Sequence, residues 1–272
     1  MGWRDRPADT VLDNFSEIDK DVVFDAEEFG GTFSINPRSH LIHRLLRNGE
    51  YEPRISSLFF HFLQPDRDIL DIGANIGFFT VGGAKRLTTG RVFAAEPTPE
   101  AFRRLNENVD RNGVRDRVIL FNGLVGPEKG QATINFVPGL EEYSSMNPLE
   151  HFATKEQPVM SKVMPIETVD GIVEQHGLNC ALMKVDVEGA EYSVFHGAHR
   201  TLDKLRPVVI AEVWAKPNSA DGKTGRELVR MFHDIGYNVV DPHDRFVEPG
   251  IQDIGEMVCI PKEKAAEMFI PW

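Results

Sequence analysis

Asp71-Ile72-Gly73-Ala74-Asn75-Ile76-Gly77 decides how this chain is read. Ile69-Leu70 leads in and Phe78-Phe79-Thr80-Val81 leads out, so the order is strand, glycine turn, helix. Glycine reaches backbone conformations that other residues resist, and a glycine turn at a helix N-terminus lets a ligand lie against main-chain N–H groups. The spacing is Gly-x-x-x-Gly, not the Gly-x-Gly-x-x-Gly of dinucleotide sites. A second element follows in Val92-Phe93-Ala94-Ala95-Glu96, a short apolar strand that ends in a carboxylate. A carboxylate at that place can accept both hydroxyls of a ribose.

Outward from this centre, strands and helices alternate. Residues 66–272 form the core unit and residues 1–65 an N-terminal extension. The extension opens with a polar, acidic arm to about residue 30, carrying one short strand at Val22-Val23-Phe24. Thr32–Ile35 alternates as a strand does, and the spacing predicts helices over His40–Arg47 and Ile55–Leu63. In the core, strands are expected at Ile69–Ile72, Arg91–Ala95, Val118–Phe121, Ala181–Val187 and Val208–Val213. Helices are expected from Gly77 to Leu87, from Thr98-Pro99-Glu100 to Asn112-Gly113, through Val194–Leu205 and over Gly225–Ile235. A further strand, Ala132–Val137, precedes a polar segment from Pro138 to Lys162, long enough to be a lid or binding loop. Val239-Val240 and Met257–Ile260 have no helix between them, which predicts an antiparallel edge.

The pattern is that of an α/β chain, Rossmann-like, with a mostly parallel sheet and helices on both faces. Such sheets bind ligands at the carboxyl ends of their strands. Asp71, Glu96, Asn122, Asp186 and Glu212 all fall at or just after predicted strand ends.

Composition narrows the partners. A net charge of −12 over 272 residues, with no basic run, argues against nucleic acid. Cys180 and Cys259 are too few for a disulfide framework or a zinc site and read as core thiols. No signal-like apolar segment opens the chain, and no apolar run is long enough to span a membrane. The expectation is a cytoplasmic enzyme or binding protein, and the unplaced N-terminal arm leaves a homo-oligomer open.

Three motifs then carry a resemblance. Asp71-Ile-Gly-Ala-Asn-Ile-Gly-Phe-Phe-Thr80, Glu96-Pro97, and Lys184-Val-Asp-Val-Glu-Gly-Ala-Glu191 resemble the FkbM-type methyltransferases. Gly49-Glu-Tyr-Glu-Pro53 and Ser144-Ser145 are similar to the same family, and the likeness runs from about residue 30 to 262. It implies a class I S-adenosylmethionine methyltransferase fold with a seven-stranded sheet and S-adenosylhomocysteine as product. It also implies O-methylation of a hydroxyl on a sugar, glycan or polyketide-like small molecule. The chain departs from the pattern at Asn122-Gly-Leu-Val-Gly126, where alanine followed by Val-Gly is usual, and at Gly82-Gly83. Neither departure removes a chemical group.

Each site residue has a structural alternative. Gly73 and Gly77 line the methionine end of the cofactor or simply make a strand-to-helix turn. Asp71 precedes them as part of the same motif. Asn75 contacts the cofactor carboxylate or caps the helix. Glu96 takes the ribose, against an ion pair with Arg91, Arg103 or Arg104. Asn122 reaches the adenine amino group or marks a turn. Asp186 aligns or deprotonates the acceptor, against capping the helix after Gly189; Lys184 and Glu212 are its catalytic companions. Lys184, expected inside a buried strand, needs a partner such as Asp186 or Glu212. Ser144, Ser145, Glu188, Glu191 and His243 are assigned to the acceptor side. Asp186, Glu188, Glu191 and Glu212 offer oxygen ligands for a divalent metal, but without a histidine alongside they read first as helix N-terminal acids, so no metal ligand is assigned. Two rivals remain at this stage: a nicotinamide-dependent oxidoreductase on a related fold, and a non-catalytic S-adenosylmethionine-binding protein.

Overall fold

The computed structural model describes residues 20–137, 159–213, 225–242 and 255–265. In the N-terminal extension, β1 (Val22–Ala26) and β2 (Gly31–Ile35) form an antiparallel hairpin around a 3-10 turn at Glu27–Phe29. Helices α1 (His40–Asn48) and α2 (Pro53–Phe62) follow. The acidic composition suggested a loose arm up to residue 30, but Phe29 is fully buried. Its ring stacks on Phe78 at 5.1 Å and meets Phe79 edge-on at 5.2 Å. One aromatic residue thus anchors a segment rich in acids, because burying so large a ring dominates the local energetics.

The core begins with β3 (Asp68–Ile72), α3 (Phe78–Arg86), β4 (Val92–Ala95), α4 (Pro99–Arg111) and β5 (Val118–Phe121). A short β6 (Leu124–Val125), β7 (Gly130–Phe136) and β8 (Met160–Glu167) form a separate three-stranded sheet. Then come α5 (Val169–His176), β9 (Cys180–Val185), α6 (Glu191–His196), α7 (His199–Lys204) and β10 (Val208–Glu212). The chain closes with α8 (Gly225–Asp234), β11 (Tyr237–Val240), β12 (Glu256–Pro261) and α9 (Lys262–Ala265). The central sheet has seven strands in the order β11-β12-β10-β9-β3-β4-β5. β12 runs antiparallel between β10 and β11, whereas β10, β9, β3, β4 and β5 are mutually parallel. The order turns back between β9 and β3, as the resemblance predicts, and sheets of this kind take ligands at the carboxyl ends of the strands beside such a switch.

The strand expected at 132–137 forms as β7, in the outlying sheet, where it pairs with β8. Other details differ from the sequence reading. Helix α5 has no counterpart in the reading. The helix expected through 194–205 is two, α6 and α7, broken at Gly197. A side chain at Gly197 would meet the Gly126 carbonyl at 2.1 Å, so the helix yields to close backbone approach there.

Extension and core share one apolar cluster, which runs from Phe33, Ile42 and Phe59 through Phe79 and Leu105. Polar side chains reinforce it. Asn108 accepts from the Ser34 N–H and donates to the Ser34 and Ile76 carbonyls, and Asn112 makes the equivalent pair with Thr32. Asn108 on α4 and Asn112 at its C-cap therefore satisfy the open edge of β2 as a neighbouring strand would.

Candidate active site

The glycine turn is set by sterics before any ligand is considered. Gly73 has φ +83°, and a Cβ there would stand 1.8 Å from the Asp186 carbonyl oxygen. The end of β9 therefore lies against the backbone of the turn, where only glycine fits. Gly77 has φ +96° and faces Leu105 of α4, whose side chain would collide with a Cβ. Asn75 takes the left-handed conformation at φ +49°, which asparagine tolerates better than most residues. Gly77 occupies the N-cap of α3 with no side-chain cap bond, so the capping reading of Asn75 does not hold.

Glu96 stands at the end of β4, buried. Its Oε2 accepts from the Asn75 N–H at 2.9 Å. Its Oε1 accepts from the Thr98 N–H at 2.8 Å and the Thr98 hydroxyl at 2.6 Å. The expected arginine alternatives are engaged elsewhere, Arg103 and Arg104 with Asp21 and Arg91 with Asp68. Much of the burial cost that a ribose was expected to offset is thus met by the chain itself. Three of about four lone-pair sites are filled, and the rotatable Thr98 hydroxyl is the donor a ribose can most readily replace. Burial, opposed by these donors, pushes Glu96 up to about 7. Asn122 Nδ2 donates to the Glu96 and Pro97 carbonyls at 2.8 and 3.3 Å. Its amide nitrogen braces the turn behind Glu96.

Lys184, Asp186 and Glu212 gather at the ends of β9 and β10. Lys184 is buried and donates to Asp186 Oδ2 at 3.0 Å, with its ammonium 4.7 Å from the centre of the Phe79 ring. Burial alone would lower its pKa, but Asp186, Glu52 and Asp71 outweigh it and hold it above the ordinary lysine value. Lys184 is thus held as a cation beside Asp186. Asp71 is registered beside Lys184 in the parallel ladder, on the same sheet face. One of its oxygens accepts from Thr80 at 2.5 Å, while Oδ1 is buried with no hydrogen-bond partner. Desolvation raises Asp71, and the Lys184 charge opposes that shift.

The remaining acids fall in two groups. Burial, Asp186 and Glu52 push Glu212 up to about 8. Burial, Asp186, Glu212 and Glu191 push Glu188 up to about 9. Glu191 accepts from the Gly189 N–H at 2.9 Å, so it, not Asp186, serves the turn before α6; burial pushes it to about 7. Ser144, Ser145 and His243 lie outside the described residues.

One site residue was missed. Glu52, in the N-terminal extension, brings a carboxylate oxygen to the same place: Glu52, Asp186 and Glu212 offer oxygens all within 4.8 Å of one another. Together with Ile55, Lys184, Ile210, Ala211 and Glu256 they line a small cleft. The Gly49–Pro53 motif marked the segment, but nothing in its spacing showed that the chain returns to the β9 and β10 ends. This trio also differs from the four-acid set in which a metal was weighed from the sequence.

The methyltransferase FkbM domain matches residues 71–239. The chain is 27% identical over 207 residues to the 31-O-demethyl-FK506 methyltransferase FkbM of Streptomyces tacrolimicus, covering 67% of this chain and 76% of that protein. It is 30% identical over 155 residues to the 2-O-methyltransferase NoeI of Sinorhizobium fredii, covering 53% and 62%. A 27% match over 221 residues to the AMB antimetabolite synthetase AmbE of Pseudomonas aeruginosa covers 68% of this chain but only 10% of that much longer protein.

Proposed function

The chain belongs to the methyltransferase FkbM family, and we propose that it transfers a methyl group from S-adenosylmethionine to a hydroxyl of a sugar, glycan or polyketide-like small molecule. The observation that carries this reading is a juxtaposition. The glycine turn at Gly73 and the Asp186 backbone are in contact, so the cofactor half and the acid cluster open onto the same end of the sheet. Similarity to the two O-methyltransferases supports oxygen as the acceptor atom.

The residues fit a nucleoside cofactor. Glu96 keeps acceptor capacity for the ribose beside Gly73 and Asn75, both at positive φ, in a turn whose Gly73 and Ala74 N–H groups donate to the Ala95 carbonyl and whose Asn75 N–H donates to Glu96. Asp71, Gly77 and Asn122 shape the same wall. S-adenosylmethionine, when bound, supplies an electrophilic methyl on its sulfonium. Direct in-line transfer asks the protein chiefly for positioning. Asp186, fixed by Lys184, aligns the acceptor hydroxyl. Glu212 is the better-matched proton acceptor: an ordinary carboxylate is a poor base for an alcohol, and one raised to about 8 is nearer the working range. Glu188 and Glu191 stand behind this pair on the acceptor side.

The deciding experiment is calorimetric titration of S-adenosylhomocysteine into wild type, Glu96→Ala and Asp186→Ala, with methyl transfer from labelled S-adenosylmethionine across an acceptor panel. Glu96→Ala should lose cofactor binding; Asp186→Ala should keep it and lose turnover. Wild-type affinity in Glu96→Ala would sink the cofactor assignment. Binding of NAD in place of S-adenosylhomocysteine would favour the oxidoreductase rival, and binding without transfer to any acceptor would favour a non-catalytic protein.

A further inference from the structure

Two histidines outside the crevice face one another where α6 gives way to α7. His196 is the last residue of α6 and His199 the first of α7. His196 Nδ1 stands 3.3 Å from His199 Nε2, and both residues are exposed. A hydrogen bond alone explains the pair poorly. The ring planes cross at 75° with centroids 4.9 Å apart. That is closer than two imidazoles joined end to end along a straight N–H···N line, so the bond between them is bent and weak. The same spacing is a good bite for one metal ion: two nitrogens each about 2.1 Å from a tetrahedral centre lie about 3.4 Å apart.

The chain holds this bite from several sides. The Gly197 N–H donates back into α6, and the Gly197 carbonyl accepts from the Asp170 N–H at 2.9 Å. Gly197 lies against the Gly126 carbonyl, and Ala198 is fully buried. At the start of α7, Asp170 Oδ2 accepts from the Arg200 N–H at 2.9 Å and Oδ1 from the Thr201 N–H at 2.8 Å. One turn earlier in α6, the Tyr192 ring lies within 12° of parallel to the His196 ring. The Arg200 guanidinium, next in the chain, donates to Glu174 at 3.0 Å. Ligands carried on fixed elements lose little freedom when an ion binds.

We propose that His196 and His199 form a peripheral site for a divalent metal ion of the zinc, nickel or copper type, with water filling its remaining positions. Imidazole nitrogen favours those ions over magnesium and calcium, which take oxygen ligands. The net charge of −12 draws cations to the surface. An ion held by both rings ties α6 to α7 across Gly197. Neither histidine lines the cleft at the ends of β9 and β10, so the site is distinct from the oxygen-only trio of Glu52, Asp186 and Glu212.

The test uses the full chain, stripped of metal with a chelator, and two probes: zinc and copper(II) ions. Calorimetry compares zinc binding by wild type, His196→Gln and His199→Gln. Either substitution should weaken it by at least about tenfold, and excess magnesium should leave the wild-type isotherm unchanged. Zinc should raise the melting temperature of wild type and not of the variants. Electron paramagnetic resonance of wild type with one equivalent of copper should show coupling to two imidazole nitrogens, a readout that needs no variant to fold. His196→Gln should reduce that coupling to one nitrogen or none. No zinc binding by wild type overturns the proposal. So does unchanged zinc affinity in both variants, or copper coupled to fewer than two nitrogens in wild type. Displacement of zinc by magnesium would place the ion on the carboxylate trio and overturn it as well.

Discussion

The two halves of the crevice are built on opposite electrostatic terms. On the cofactor side, Glu96 is met by two backbone N–H groups and a hydroxyl from its own chain, and Asn122 braces the turn behind it. On the acceptor side, Glu52, Asp186 and Glu212 bring carboxylate oxygens within 4.8 Å of one another, with Lys184 bonded to Asp186 and Arg44 3.9 Å from Glu52. The first half is preorganised and close to satisfied in the absence of ligand. The second half carries unfavourable charge that a hydroxyl-rich partner would relieve. Preorganisation of this kind cuts the cost of binding, whereas accumulated like charge lends selectivity against the wrong partner.

The comparison can be broken most forcefully at the contact between the halves. Gly73→Ala should cost about 4 kcal/mol or more, because its Cβ would overlap the Asp186 carbonyl; urea denaturation measures it, and a loss below about 1 kcal/mol would mean the two strand ends are not in contact. Next in size is Lys184→Met, which leaves buried carboxylates without their cation and should cost about 3–5 kcal/mol above about pH 8. The loss should shrink toward pH 5, where the acids can protonate instead, and a pH-independent loss would deny the cluster its charge.

A smaller effect sharpens the comparison through pH. Glu96, Glu191, Glu212 and Glu188 titrate at about 7, 7, 8 and 9 in the folded chain, against 4.5 for an ordinary glutamate. Between these values the folded state holds protons that the unfolded state has released, so stability falls as pH rises through the window. The ligand-free protein should lose stability between about pH 5 and pH 8, with Glu212→Gln flattening the slope on the acceptor side. Melting curves that improve over this range would refute the assignment. The smallest change is Gly113→Ala. Gly113 also has positive φ, +65°, but no atom lies within 4 Å of its missing Cβ, so only the conformational cost of about 1 kcal/mol is expected. Equal losses at Gly73 and Gly113 would show that close approach plays no part.

Local pattern alone determined the parallel core of this protein. The apolar run before Gly73, the Thr98-Pro99-Glu100 helix start and the carboxylates at strand ends are short-range features, and each falls where the alternation of strand and helix puts it. Glu96, Asp186, Lys184 and Glu212 were readable as neighbours of one crevice for the same reason: in a parallel sheet the end of a strand is already an address. Tertiary structure decided what no local spacing encodes. It brought Glu52 from the N-terminal extension to the ends of β9 and β10, and it gave Glu96 donors from its own chain. It also placed Glu212 opposite Glu256, paired the 130–136 strand with β8 in a second sheet, and buried Phe29 in a segment whose composition reads as solvent-exposed. Each of these depends on contacts between residues far apart in the chain, where packing and charge proximity override local preference.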